Sequence, residues 1–565
     1  MTRYFRSILF LSFVLPTGVW ANESVVPEIE VFDCEQILQE DTVYKITKEI
    51  NLNARTLRIP GGCVLKFDGG MLYNGTLIGD RTQVDYNGAV FKGITIDGTW
   101  NVPIIRSSMF ADIDQENVIC NLPILSDDAI ENVIVIDPGD YWVSFAANAS
   151  EALALRSNTK LVLNGNIFVK SNAWDSYFVV SIRGKNNVSV SGSGSITGDR
   201  ELHCNRTAGD MGIGFRIVGS DRITIQDLTL KDMWGDGIYV GGWAVSTAVT
   251  LKNLTIQNCR RQGISVTNGE GLVIENNIIH AIGGARPGAA IDLEPNVGHG
   301  ERVNKIRISS NHLSECEGPV ISIFSADVGL VNSVVIEDNE IENDTGIALN
   351  LSRRFTNVRI ADNRLCGSLS FKNNSYPAVF EGNTIVCPHL RFINGDGSGD
   401  FALNGYHFIG NTIICSGDIR ARGRNCIWMD NVITVEGSQL SIGGTGSVVS
   451  SNTIHSKGTN IIYGGVFSDN IIYCTIRDVN RSLISGINDI EIIDNKFFIE
   501  EVTSGANLYC LFSISSGKCN RNMVKNVTGR PLKCTIDFNI SKNGKVSSSD
   551  NSLDTSITLS KTKRF

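Results

Sequence analysis

Proline is scarce in this chain, twelve among 565 residues, and histidine and methionine number only seven each. So little proline beside 56 glycines excludes a proline-rich or collagen-like polymer and fits a turn-rich β protein. An excess of basic charge is also missing. Lys and Arg total 50 against 59 Asp and Glu, a formal charge of −9, and Arg3 and Arg6 lie at the extreme N-terminus. Phosphate backbones are held by basic faces, so nucleic acid is not an expected partner. No apolar run reaches the roughly 20 residues that a membrane-spanning helix needs. The 14 cysteines include no Cys-x-x-Cys pair and no Cys/His spacing suited to zinc.

What is present begins with a short leader. Arg3 and Arg6 supply a charged start, Ile8 to Leu15 an apolar stretch, and Val19-Trp20-Ala21 a small-residue cleavage site. This is the layout of a signal peptide over residues 1–21, so the protein is expected to be secreted or periplasmic. Export ordinarily favours disulfides. Yet Cys366, Cys387, Cys415 and Cys474 each fall three or four residues after a recurring asparagine. That spacing suggests stacking in an apolar interior, where a free thiol behaves as a small hydrophobe.

The recurring asparagine is the dominant pattern. It stands at Asn253, Asn277, Asn311, Asn339, Asn363, Asn383, Asn411, Asn431, Asn452, Asn470 and Asn495, 18 to 34 residues apart. Alternating strands flank it, such as Val249-Thr250-Leu251 before Asn253 and Thr384-Ile385-Val386 after Asn383. Asparagine tolerates the left-handed backbone of a tight bend, and stacked copies can hydrogen-bond in a ladder. A repeat of this length built from strands and no helices is a parallel β-solenoid. On these residues the chain resembles right-handed parallel β-helix proteins of the pectate-lyase-like superfamily, all-β and wound as a single strand, over most of residues 50–530. Residues 22–150 are expected to form an N-terminal cap and first coils, with a short helix near Leu125-Ser126-Asp127-Asp128. The main β-helix is expected over 151–526, and a cap or frayed tail over 527–565. A monomer is expected.

Aligned coils give a second line of strands: Gly237-Ile238-Tyr239-Val240, Gly263-Ile264-Ser265-Val266, Ala290-Ile291-Asp292-Leu293, Ile321-Ser322-Ile323 and Ile347-Ala348-Leu349. Period-two alternation turns the isoleucines inward and Tyr239, Ser265, Asp292, Ser322 and Ala348 outward, with Arg216 on the same face. Three coils there carry residues that the repeat does not require: Trp234, Asp236, Tyr239 and Trp243, then Arg260, Arg261 and Gln262, then Asp292 and Glu294. His203 lies in the loop before the Arg216 coil. Acids, arginines and aromatics so concentrated on one face suggest a saccharide cleft.

The order Gly-Asp-Gly-Ile-Tyr, Arg-Arg-Gln-Gly-Ile, Ile-Asp-Leu-Glu-Pro-Asn is similar to a pattern in exported β-helix proteins of glycan-degrading Gram-negative bacteria. That resemblance implies a polysaccharide lyase or a glycoside hydrolase. The polygalacturonase pattern is only partly met: Asp236 stands where its first acid would, but Arg261-Gln262-Gly263 replaces its paired acids. A lyase acting on an acidic polysaccharide such as a uronic-acid glycan needs a base beside a neutralised carboxylate. Arg260 or Arg261 would neutralise, with Gln262 assisting, and Tyr239 or His203 would move the proton. Arg216, Trp234, Trp243, Arg260 and Gln262 would bind substrate. Asp236, Asp292 and Glu294 would offer oxygen ligands to Ca²⁺.

Two other functions fit the same residues. An inverting hydrolase would use Asp236 and Asp292, which two coils would hold roughly 9.6 Å apart at their backbones. A non-catalytic glycan-binding β-helix would need only the aromatics. The leader has its own test: N-terminal sequencing of the exported protein should begin at Asn22, whereas a chain retaining Met1 in the cytoplasm of its host would refute export.

Overall fold

The computed structural model describes residues 28–29, 38–112, 115–146, 150–205, 209, 211–328, 330–372, 377–392, 403–476, 482–502, 509–537 and 546–559. The expected leader lies outside the described residues. Among them, no helix is long and apolar enough to cross a membrane. The chain divides into two compact units, Met1–Asn101 and Val102–Phe565.

In the first unit, Val43–Ile46 pairs in parallel with Val64–Phe67, and Met71–Asp85 pairs with Phe91–Trp100. Tyr44, Leu65, Leu72, Leu77, Phe91 and Trp100 close its core.

The second unit is a parallel solenoid with three strands per coil. Ser246–Lys252, Thr255–Gln257 and Gln262–Val266 make one coil. They pair in parallel and in register with Gly269–Glu275, Ile278–Ile282 and Ala289–Leu293 of the next. Valine, isoleucine and leucine alternate into the interior, as in Val249 and Leu251, then Leu272 and Ile274, then Ile306 and Ile308, all buried. Each coil therefore buries aliphatic side chains against aliphatic side chains of the coils above and below.

One corner carries the asparagines. The Nδ2 of Asn277 donates to Oδ1 of Asn311 at 2.9 Å. The chain of bonds continues through Asn339, Asn363, Asn383, Asn411, Asn431, Asn452, Asn470, Asn495 and Asn522 to Asn551. Each Oδ1 also accepts a backbone N–H, as Asn363 does from Asn339, and each Nδ2 also reaches a strand carbonyl, as Asn363 does Ile336.

The bend itself differs from expectation. The left-handed residue is the one before the ladder asparagine: Ser310, Asp338, Asp362, Asp430 and Asp494 have φ of 56° to 60°, and Gly382 and Gly410 take the same place. Asn253 belongs to this position, and Leu254 fills its ladder place, donating its N–H to Asn277. Asparagine is thus selected here for its amide rather than for its backbone.

The outward line of the second strand set begins as expected. Arg216, Tyr239, Ser265, Asp292 and Ser322 are register partners in succession. The next coil slips by two residues: Ile321 pairs with Leu349 and Ser322 with Asn350, so Asn350 replaces Ala348 on the line. Ile347-Ala348-Leu349 and Leu349-Asn350-Leu351 both read apolar-x-apolar. The pairing of the same strand with the following coil is irregular between Glu342 and Leu349.

A short 3₁₀ helix spans Val118–Leu125, ending where the expected helical segment begins, and Asn132–Ile136 is already strand. Cys366, Cys387, Cys415 and Cys474 are free thiols and buried. Cys387 and Cys415 are register partners.

Replacing Asn363 by Ala should destabilise the solenoid by roughly 2–5 kcal/mol. It would leave the Asn339 amide and the Ile336 and Ala361 carbonyls short of partners in a buried corner. Urea unfolding followed by circular dichroism measures this; a loss below about 0.5 kcal/mol would show that the ladder contributes little.

Candidate active site

Asp236–Val240, Gln262–Val266 and Ala289–Leu293 are stacked neighbours, and a chain of polar side chains runs up them. The Arg261 Nη1 donates to both carboxylate oxygens of Asp236, at 3.2 and 3.0 Å, and to Gln262 Oε1 at 2.6 Å. The Gln262 Nε2 donates in turn to Asp292 Oδ2. The line Asp236–Arg261–Gln262–Asp292 is therefore continuous.

It is not the solvated face that the alternation suggested. Asp236 and Gln262 are fully buried and Asp292 is 2% exposed. A bend explains part of the difference. A side chain at Gly237 would meet Ile256 Cγ2 at 2.7 Å, and one at Gly263 would meet Ile279 Cγ2 at 2.5 Å. Both glycines face the interior directly before an inward isoleucine, so the period of two breaks there. Asp236 consequently shares a register line with Gln262 and Ala289, while Asp292 lies on that of Tyr239 and Ser265. The spacing that two coils alone would give is overturned, because Asp292 is displaced by three further residues, roughly 10 Å along the strand.

Burial, and next the negative charge of Glu294, push the Asp292 carboxyl up to about 7; Ser322 and Arg261 pull the other way, and Asp236 adds to the rise. Its Oδ1 is buried without a hydrogen-bond partner. Glu294 is half-buried and lines an open depression of about 790 Å³ together with Arg261, Arg286 and Glu317. Arg286 is exposed there. Tyr239 is half-buried, with its hydroxyl 3.1 Å from Thr267 Oγ1. Burial raises its phenol above the ordinary value, Glu301 adds to this, and Thr267 and Arg216 oppose it.

Several expected members lie elsewhere. The Nδ1 of His203 sits 2.9 Å from Asp199 Oδ2, with both side chains fully buried, and Tyr177 hydrogen-bonds the other Asp199 oxygen. The His203 ring stacks on buried Trp234 at 4.0 Å, and the Arg260 guanidinium lies 3.9 Å from a Trp234 ring. These three form an aromatic and cationic cluster, not an open saccharide platform: His203 and Trp234 are buried, and the half-buried Arg260 donates to the Gly209 carbonyl. Trp243 is 70% exposed but lines a different depression, beside Glu151 and Arg183, and Arg216 reaches the same Glu151. Arg286, Glu317 and Glu301 were missed; they sit on turns and loops whose sequence carries no strand alternation. The only signal for Arg286 and Glu317 was the departure from the repeat around Gly283-Gly284-Ala285.

The donor set does not suit Ca²⁺ as it stands. Asp236 is held by Arg261 and Asp292 by Gln262, and no three acidic, His or Cys side chains gather for an ion among the described residues.

The family model of the right handed beta helix region matches residues 142–293 and 212–413. The chain is a right-handed parallel β-helix. The YclG protein of Bacillus subtilis (strain 168) is 25% identical over 195 residues, 31% of this chain and 32% of its own. The SPbeta prophage-derived YorA protein of the same strain is 28% identical over 173 residues, 27% of this chain and 29% of its own. The chain thus spans about a third of the length of the curated relatives it matches. Among solved structures, the A-module of the Azotobacter vinelandii mannuronan C-5 epimerase AlgE6 aligns at 12% identity and TM-score 0.38, over 81% of this chain and all of that one. The tailspike of E. coli bacteriophage HK620, solved with a pentasaccharide, aligns at 12% identity and TM-score 0.39, over 76% and 74%.

The raised Asp292 carboxyl has a consequence for stability. Between its ordinary value of 3.8 and about 7, the folded protein keeps a proton that the unfolded chain has lost. Stability should therefore fall as pH rises through that window, by on the order of a few kcal/mol. Asp292→Asn should remove most of this fall, leaving the variant as stable as the parent at pH 4 and more stable at pH 8. Denaturation midpoints across pH 4 to 8 check it; parallel curves for the two proteins would show that Asp292 is not protonated in the fold.

Proposed function

We propose that this protein is an enzyme that cleaves an acidic polysaccharide at the depression lined by Arg261, Arg286, Glu294 and Glu317. The observation that carries this is the Asp292 carboxyl, held near 7 by burial and by Glu294 two residues along the same strand direction. A carboxyl so placed retains its proton close to neutral pH, the condition for general acid catalysis at a glycosidic oxygen. A water adds to the anomeric carbon and gives a proton to Glu294, which reaches the depression, while the glycosidic C–O bond breaks and Asp292 gives its proton to the leaving oxygen. Arg261 and exposed Arg286 present guanidinium groups to a sugar carboxylate or sulfate. Hydrolysis is the chemistry this arrangement supports best.

β-Elimination from a uronic-acid glycan is the second reading, and the two arginines favour it. One would neutralise the substrate carboxylate while the ionised Asp292 carboxyl accepts the proton beside it. Tyr239 is a poor base for that step, because its phenol is raised. His203 is buried away from solvent. No step here passes through a metal, and addition of a chelator should leave turnover unchanged.

The test is incubation of the purified protein with a panel of acidic polysaccharides, following new reducing ends and ultraviolet absorbance together. Hydrolysis yields saturated products and a rate that falls as pH rises through about 7, where Asp292 loses its proton. Elimination yields an unsaturated uronide and a rate that rises through the same range. Asp292→Asn and Glu294→Gln should each lower turnover by about a hundredfold, the scale of losing a positioned acid or base. Wild-type rates in both variants would place the chemistry elsewhere on the solenoid.

A further inference from the structure

A second depression of about 690 Å³ opens lower on the same outward line. Ala154, Ser181, Arg216, Tyr239, Ser265 and Asp292 are successive register partners, and Ala154 and Ser181 line this depression. Four coils separate Ser181 from Asp292, roughly 19 Å at the spacing of stacked strands.

Its lining is cationic. Arg156, Arg183 and Lys185 face it. Arg183 and Arg216 share one carboxylate, Glu151, at 3.2 and 3.5 Å. Lys185 and Arg156 share another, Asp128, at 2.9 and 3.7 Å. Four cations thus meet two carboxylates on a chain whose overall charge is negative. Crowding by burial and by Arg183 lowers the Arg216 guanidinium below its ordinary value, so a further anion beside it would be favourable. Two polar atoms stand ready: Ser181 Oγ and Arg216 Nε are buried with no hydrogen-bond partner. Over the edge stands Trp243, following Gly241-Gly242 and 70% exposed, a flat apolar surface. An exposed indole beside guanidinium groups suits a sugar ring that carries an anionic substituent.

We propose that this depression is a second saccharide subsite, which takes an acidic sugar residue about four units along the chain from the one cleaved at Asp292. The inference rests on the cleavage reading for its distance, but the binding chemistry of the subsite stands independently of it. A pyranose unit of an extended glycan advances by about the height of one coil, so four coils correspond to about four sugar units. Such a subsite makes the enzyme prefer long chains and act within them.

The test measures binding in the full chain carrying Asp292→Asn, which removes turnover. The probes are a galacturonate hexamer (carboxylate alone), a chondroitin sulfate hexasaccharide (carboxylate and sulfate), the corresponding dimers, and neutral maltohexaose. At least one acidic hexamer should bind at least tenfold more tightly than its dimer and than maltohexaose, with affinity that weakens as salt is added. Trp243→Ala and Arg183→Ala, both at exposed positions, should each reduce that affinity at least fivefold and leave dimer binding unchanged. The sulfated and unsulfated arms tell which anion is preferred. Equal affinities for acidic and neutral hexamers, or unchanged affinity in both variants, overturns the subsite. Trp243-dependent binding in the Asp292→Asn chain, together with a parent protein that cuts neither glycan, upholds the subsite and overturns cleavage; cutting by the parent without Trp243-dependent binding in the variant does the reverse.

Discussion

A solenoid coil must change direction three times without leaving backbone groups unpaired in its interior. At most corners strand pairing with the next coil achieves this. At the asparagine corner the chain points a side chain inward, and a buried amide is tolerable only when both its oxygen and its nitrogen are bonded. The ladder from Asn277 to Asn551 meets that condition by making every amide the partner of the next. The requirement is collective: one missing member leaves groups unsatisfied on both neighbouring coils. It also fixes the register of the coils, since an amide shifted by one residue would face the opposite side of the strand. The positions of Arg216, Tyr239 and Asp292 on one line descend from that register.

The ladder was legible because it is written in residue identity at nearly regular spacing. Asn311, Asn339 and Asn363 could be placed at one corner from the sequence, although the reason given for asparagine was incomplete. Its backbone is not the left-handed one; Ser310, Asp338 and Asp362 supply that bend. The inward isoleucines at 238, 264, 291 and 321 were legible for the same reason. Ile347 was not, because apolar-x-apolar text repeats in two frames there and only the pairing of the long strand Glu340–Arg353 chooses between them.

The candidate site was legible as a set of residues but not as a geometry. Asp236, Arg261, Gln262 and Asp292 do meet, yet through side-chain bonds that step diagonally across coils rather than by stacking on one line. Alternation cannot reveal this, because Gly237 and Gly263 place two consecutive residues inward and break the period. Nor can it reveal burial: His203 and Trp234 look like surface groups in a polar loop and near a turn, but their stacking removes both from solvent. Loop residues such as Arg286 and Glu317 carry no periodic signal at all.

Burying Asp236, Gln262 and Asp292 is costly for stability, and the way the cost is met separates their roles. Asp236 is compensated directly, by two bonds from one guanidinium. Asp292 receives one amide bond and retains an unpartnered oxygen, so it is compensated in part by keeping its proton. A purely structural carboxylate would be expected to resemble Asp236. A carboxyl left short of partners, beside another carboxyl and behind an open depression, is destabilised in its charged form, and that is the property a proton-donating group requires. The rigid register of the asparagine corner is what allows such a group to persist, because the coil cannot shift to relieve it. The strain-tolerant part of the molecule and its chemically poised part are therefore two faces of the same coils.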